Sequence, residues 1–435
     1  MAKQKQIYEC QSCGYQSGKW MGKCPSCGEW DSFVELSKFQ TKTSTKISST
    51  TSKIISIDEI KEDEIERFSS GIDEFDRVLG GGIVPGSLVL IGGSPGVGKS
   101  TLMLKFASHI SKKVLYVAGE ESPGQIKLRA NRLDSHNKNL FLFPEIILEN
   151  ILSEIKNYEI IIIDSIQTIY SEKITSAPGS VSQVREATFE LMRIAKELKI
   201  PIFIIGHITK EGSIAGPRIL EHMVDTVLYF EGDASREIRI LRGFKNRFGS
   251  TSEIGIFEMT KQGIESAKNK TFFSKKAQIG SAITVIMEGT RPLVIEVQAL
   301  VAESYTNPKR STTGYETNRL NMILALLEKK LNLPFNQYDV FINITGGIKI
   351  TEPAGDLAVI AAILSSFRDR EISKETIFIG EVSLVGDIRD VTSLDLRLQE
   401  AKNLGFSKAI VPSKPIENHL KTYIVSEVEK LIDWM

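Results

Sequence analysis

The chain has 435 residues, 41% of them hydrophobic and 25% charged, enough for about three domains at ~150 residues each. Its 54 lysines and arginines balance 54 aspartates and glutamates, so any affinity for nucleic acid has to come from local patches and not from net charge. No apolar run approaches the ~18 residues of a membrane span, the N-terminus has no apolar signal core, and all four cysteines precede residue 28, a pattern expected of a cytoplasmic protein with no membrane contact.

The first element is Cys10-x2-Cys13-x10-Cys24-x2-Cys27, with Gly14 and Gly28 following the two knuckles. Matched CxxC pairs at this spacing suit Zn²⁺ held by four thiolates, better than disulfides or a lone redox motif. A module of residues 1–36 is too short to bury an adequate core, so the metal is expected to hold it together. Tyr15, Trp20 and Trp30 are expected to pack over that site; a contact surface shared with Lys19 and Lys23 is the alternative. Residues 37–55 are rich in Ser, Thr and Lys and read as a flexible linker.

An ATPase domain is expected over 56–265. A glycine-rich preamble, Gly71–Gly86, leads to the apolar run Leu88-Val89-Leu90-Ile91. Then comes Gly93-Ser94-Pro95-Gly96-Val97-Gly98-Lys99-Ser100-Thr101. This is G-x-x-x-x-G-K-S between a strand and an amphipathic helix, the setting of a P-loop. Small residues let backbone N–H groups curl around phosphates, and the helix N-terminus adds partial positive charge. Lys99 is expected to reach the β- and γ-phosphates of ATP, and Ser100 to hold Mg²⁺. Glu120 follows the strand Val114–Val117, where open α/β sheets place ligands; it is the candidate to orient and deprotonate water. Glu121 better suits a helix N-terminal acid. Ile160-Ile161-Ile162-Ile163-Asp164 reads as a Walker B strand whose Asp164 supports Mg²⁺. Further on, the strand Pro201–Gly206 precedes His207 and a loop with Lys210 and Arg218. These cations are candidate contacts to a nucleic-acid backbone, with an ordinary surface loop as the alternative. Lys245-Asn246-Arg247-Phe248-Gly249 is expected on a tight turn, as a surface patch or as a group reaching the nucleotide of a neighbouring subunit.

Taken together, the four-cysteine ribbon, GGSPGVGKST, IIIIDS, the HITKEG…AGPR stretch and KNRFG resemble the bacterial RadA/Sms family of DNA repair proteins, over the whole chain. KNRFG is the most specific piece. The preamble also resembles other RecA-type cores, clock proteins and replicative helicases among them. The resemblance implies a RecA-like core with a mostly parallel sheet, forming a homo-oligomeric ring, a hexamer, that hydrolyses ATP. It implies action on single-stranded and branched DNA in homologous recombination, by branch migration or extension of strand-exchange intermediates. The recombinase or the replicative helicase is then a candidate partner. Carried onto this chain, Lys99, Ser100, Asp164 and Glu120 form the ATP–Mg²⁺ site. Lys210, Arg218, Lys245 and Arg247 meet DNA, and the last two couple neighbouring subunits. The alternative is an ATP-switched scaffold of the clock-protein type, without translocation.

From about residue 270 to 435 the pattern changes to an α+β order that resembles the Lon protease fold. The turn that carries a Ser there is Glu352-Pro353-Ala354-Gly355-Asp356 here, and Asp395 falls where the lysine belongs. Without a hydroxyl and a base no acyl transfer is expected. Lys309, Arg310, Arg319 and Lys349 are candidate phosphate contacts, or a solvated basic face.

Overall fold

A computed structural model describes residues 7–10, 15–26, 28, 30, 32–36, 56, 66–133, 137–206, 217–232, 237–267, 271–274, 276–305, 307–417 and 419–434. The chain divides into two compact units, Met1–Ala267 and Lys268–Met435.

The first unit begins with β1 (Ile7–Cys10), β2 (Gln16–Ser17) and β3 (Phe33–Leu36), an antiparallel sheet in the order β2-β1-β3. Next come α1 (Asp73–Leu79), β4 (Leu88–Gly93), α2 (Lys99–His109), β5 (Val114–Ala118), α3 (Pro123–Arg132), β6 (Leu140–Phe143) and α4 (Leu148–Glu154). They are followed by β7 (Ile160–Asp164), α5 (Val181–Leu198), β8 (Ile202–Ile205), α6 (Pro217–Met223), β9 (Thr226–Glu231), β10 (Ile238–Asn246), β11 (Ile254–Thr260) and β12 (Gly263–Ser266). The nine-stranded sheet runs β12-β11-β10-β9-β4-β8-β7-β5-β6. Strands β9 to β6 in that order are parallel, and β10 to β12 add an antiparallel wing.

Continuous apolar strands need cover on both faces, and period-two alternation shows how it is provided. Val89, Ile91, Ile160 and Ile162 enter one core with Phe75 of α1, Leu102 of α2 and Ile126 of α3. Leu88, Leu90, Ile161 and Ile163 enter the other with Ile151 of α4, Val184 of α5 and Leu220 of α6. Phe106 sits 5.1 Å from Phe203 and 5.7 Å from Phe75; each such buried ring contributes about 1.5–3 kcal/mol. The sheet is therefore a doubly wound RecA-like core with β4 near its centre and β8 between β4 and β7. In β10, Gly243 opposes Leu228 and Lys245 opposes Val227, so Phe244 is a bulge.

The second unit holds β13 (Ser281–Glu288), β14 (Arg291–Glu303), β15 (Arg310–Thr313), α7 (Thr317–Leu331), β16 (Tyr338–Ile344), α8 (Asp356–Arg368) and β17 (Thr376–Phe378). It ends with β18 (Glu381–Val382), β19 (Ile388–Arg389), α9 (Leu394–Asn403), β20 (Lys408–Val411), β21 (Lys421–Ile424) and α10 (Val428–Leu431). A mixed sheet runs β15-β16-β14-β13-β17-β20-β21. Helix α8 is buried from Asp356 through Ser365, as a helix apolar on nearly every side must be. Among the described residues no helix is long and apolar enough to cross a membrane.

Candidate functional site

Strand β4 is buried along its whole length and delivers residues 94–98 to the C-terminal edge of the parallel sheet. Gly93 is required there, because a Cβ would stand 2.5 Å from the Phe230 carbonyl oxygen. Helix α2 starts at Lys99 with no side-chain cap and no acidic residue in its first turn. A helix N-terminus without a capping side chain or a nearby carboxylate on its own first turn is suited to an anion.

Lys99 is 4% exposed. Its ammonium donates to the Gly93 carbonyl at 2.7 Å and the Ser94 carbonyl at 3.1 Å, so it lies back along the loop. Burial lowers its pKa to about 8, against the opposing pull of Asp164 and Glu120. Asp164 ends β7, and burial raises its pKa, opposed by hydrogen bonds from Tyr116 and Ser100. Tyr116 is buried on the adjacent β5 and donates its hydroxyl to Asp164; burial, then the carboxylate, drives its own pKa well upward. Glu120 is exposed at the end of β5 and accepts a hydrogen bond from the buried Ser165 hydroxyl. Gly119 holds the two strand ends close, since a Cβ there would meet the Thr168 hydroxyl at 2.1 Å. Glu121 pairs with Arg129 of α3. The N-terminal role expected for Glu121 is taken by Ser122, whose side chain forms a capping box with Gln125. Ammonium, hydroxyl and two carboxylates thus meet at one sheet edge. The donor set fits a polyphosphate with a divalent cation.

Lys245 and Arg247 lie elsewhere. Lys245 and Asn246 end β10 and are not on a turn. They sit level with Val227 and Thr226, beside the start of β4 and away from its loop. The Lys245 ammonium donates to the carbonyls of Glu221 (2.7 Å), Val224 (2.8 Å) and His222 (3.3 Å), closing the end of α6. Burial, then Arg247, lowers its pKa. Arg247 is half exposed and stands 3.7 Å from Asp225. Asp225 is 2% exposed and also accepts from Lys196 (2.9 Å) and the Leu88 N–H (3.1 Å). Asn246 donates to the Leu79 carbonyl at 3.2 Å, and a Cβ on Gly249 would stand 2.9 Å from Gly80. KNRFG is thereby locked against the glycines of the preamble. His207 and Lys210 lie outside the described residues, as does the side chain of Arg218.

Cys10 and Cys24 are buried together beside Phe33. The Gly28 N–H donates to the Cys24 carbonyl at 2.8 Å and the Cys10 N–H to that of Tyr15 at 2.9 Å. Two buried thiols on tight turns fit one metal; Cys13 and Cys27 lie outside the described residues. Tyr15 lies edge-on to Phe33 at 6.4 Å, but the tryptophans do not close over the thiols. Trp30 is 68% and Trp20 53% exposed, with Lys23 5.4 Å over the Trp30 ring.

In the second unit Ala354 is buried in the turn before α8. The α9 side chain that reaches this turn is Arg397 and not Asp395. Arg397 is fully buried and bidentate to Glu352 at 2.5 and 2.8 Å, while Asp395 accepts from the Glu417 N–H at 3.0 Å. Arg319 and Arg310 are internal partners as well. Arg319 binds Asp356 and Arg310 the carbonyls of Phe335 and Tyr338. Lys309 and Lys349 are exposed.

Residues 8–35 match a family model described as the rubredoxin metal binding domain, 58–213 one described as the AAA domain, and 316–415 one described as subunit ChlI of Mg-chelatase. The chain is 61% identical to DNA repair protein RadA of Campylobacter jejuni over 100% of both chains. It is 50% identical to DNA repair protein RadA of Bacillus subtilis over 97% of this chain and 95% of that one. Among solved structures, that of the RadB recombinase superposes with a TM-score of 0.37 at 24% identity, over 46% of this chain and 98% of that one.

Proposed function

Because this chain belongs to the family of DNA repair protein RadA, we propose that it is a DNA-stimulated ATPase that moves on single-stranded DNA during recombinational repair. The observation that carries the reading is the meeting of Lys99, Ser100, Asp164 and Glu120 at one sheet edge. Burial disfavours charge on both Lys99 and Asp164. A polyphosphate and Mg²⁺ arriving together restore the balance of charge there. In this reading the loop 94–98 and the first turn of α2 hold the phosphates, Lys99 turns from its loop carbonyls to the terminal phosphates, and Ser100 and Asp164 hold the cation. Mg²⁺ supplies charge neutralisation at the transferring phosphoryl group. Glu120 orients the attacking water. Zn²⁺ on Cys10, Cys13, Cys24 and Cys27 gives the N-terminal module its rigidity.

The position of Arg247 supports completion of the site by a second copy of the chain, in a ring. It lies at the opposite end of β4 from its own loop, exposed and beside a carboxylate that already has two other partners. Lys245 is better suited to fixing α6, which follows the loop that carries Lys210. Residues 1–36, 56–265 and 270–435 then act as ribbon, motor and Lon-like scaffold. The thiol ligands fit a reducing, cytoplasmic setting.

The test is ATP hydrolysis by the purified protein with and without single-stranded DNA. Hydrolysis that rises with DNA and is lost in Lys99→Ala, by about 10²-fold or more, supports the motor. Hydrolysis indifferent to DNA would favour the ATP-switched scaffold.

A further inference from the structure

Strand β10 carries an arginine where its alternation calls for an apolar side chain. Arg239 points to the same face as the fully buried Leu241 and is itself 3% exposed. Burying a guanidinium costs several kcal/mol unless its N–H groups are satisfied, so its partners are informative. Its Nε donates to the Val97 carbonyl at 3.0 Å, and Nη1 to the Ile238 carbonyl at 2.9 Å. Val97 is the residue before Gly98-Lys99. A trans peptide is planar, with its C=O and the following N–H pointing in opposite directions. A carbonyl of Val97 held towards Arg239 therefore turns the Gly98 N–H away from β10.

We propose that Arg239 is a positioning residue for the glycine loop, presetting the Val97–Gly98 peptide so that the Gly98 N–H is already aimed at a bound phosphate. The proposal rests on the nucleotide reading of that loop. Without the clamp, this peptide loses the bond that fixes its carbonyl, and ordering it again is subtracted from binding. The side chain is itself kept in place by Gly232, where a Cβ would stand 2.4 Å from the Arg239 Cδ. Arg239 touches no reacting atom, so its removal should weaken the grip on ATP more than it slows a bound molecule.

The experiment titrates the full chain with a fluorescent ATP analogue and measures hydrolysis across ATP concentrations. Wild type should bind and Lys99→Ala should not; if wild type does not bind, the nucleotide reading falls and this inference with it. Given binding, Arg239→Ala should raise Kd and KM about tenfold, equivalent to ~1.4 kcal/mol, while kcat at saturation stays within about twofold. Arg239→Lys, which keeps a cationic donor, should recover part of the loss. Gly232→Ala retains the arginine but displaces it, and should raise Kd in the same direction. A folded Arg239→Ala protein with wild-type Kd and KM overturns the proposal while leaving the nucleotide reading intact. If Arg239→Ala does not fold, an unchanged Kd in Gly232→Ala overturns it instead. An Arg239→Ala that lowers the melting temperature and kcat with KM unchanged would assign the arginine to packing alone, and also overturns it.

Discussion

At the scale of single residues, the chemistry of Lys99 sets a pH dependence. In the proposed site its ammonium meets phosphate, and burial brings its pKa down to about 8. Lys99 is charged below that pH and loses its proton above it, so affinity for an ATP analogue should fall as pH rises through about 8. Binding above pH 8 should take up a proton, since phosphate favours the ammonium form. Calorimetry in buffers of different ionisation enthalpy reads that uptake directly, and its absence at pH 9 would contradict the assignment. Asp225 gives a stability prediction. Asp225→Ala removes one buried carboxylate from Lys196, Arg247 and the Leu88 N–H, and should cost about 3–5 kcal/mol in urea unfolding. Lys99 and Asp164 were legible in the sequence because a P-loop and an apolar strand ending in Asp are local patterns. Tyr116 was not, since its partner is 48 residues away, nor was Arg239, whose partner is 142 away. Each left only a general sign: a phenol or guanidinium inside an apolar strand needs a buried acceptor.

At the scale of elements, the central strands were legible because buried parallel strands are continuous apolar runs. The run Ile377–Gly386 shows where that rule fails. It is not one strand, because at Gly380 the chain leaves the sheet. The Gly380 N–H goes to the Ala354 carbonyl at 3.0 Å, and a Cβ there would lie 2.7 Å from Ile388. Beyond Gly380 the chain pairs with itself in the small β18–β19 hairpin. Hydropathy does not register which backbone groups change partner. Placing Asp395 opposite the Ala354 turn failed for a related reason: a helix two residues out of phase presents another side chain, and Arg397 is the one that arrives. That arginine is tied to Glu352 and cannot act as a base, so Ala354→Ser should remain inactive towards fluorogenic peptides; measurable ATP-dependent cleavage would refute this. For the ribbon, chelation should abolish the chemical-shift dispersion of residues 1–36. The melting temperature of the ATPase unit should stay within a few degrees, and a larger shift would contradict a tethered module.

At the scale of the whole molecule, the ATP loop and Arg247 lie at opposite ends of β4, too far apart to serve one site within a single chain. If neighbouring copies complete each other, a mixture of Lys99→Ala and Arg247→Ala chains should recover ATP hydrolysis that neither variant shows alone. A mixed contact in which the Arg247→Ala chain supplies the loop and the Lys99→Ala chain the arginine is then intact, and a group supplied in trans is worth about 10³–10⁵ in rate. Strictly additive, near-zero activity in the mixture would argue that each chain works by itself. The strand between these two ends has a property of its own. The bulge at Phe244 puts one more residue into β10 than its partner strand requires, which bends the strand and increases its twist there. That bend lies between Arg239, which bonds to the loop, and Arg247, just past the other end of the strand. The register is fixed on both sides of it, because Lys245 is held by three carbonyls and Arg239 by that of Val97. Deleting Phe244 should remove the bend and leave Lys245 opposite Val227, with little change in melting temperature. Deleting Leu241 would turn every later side chain of the strand to the wrong face.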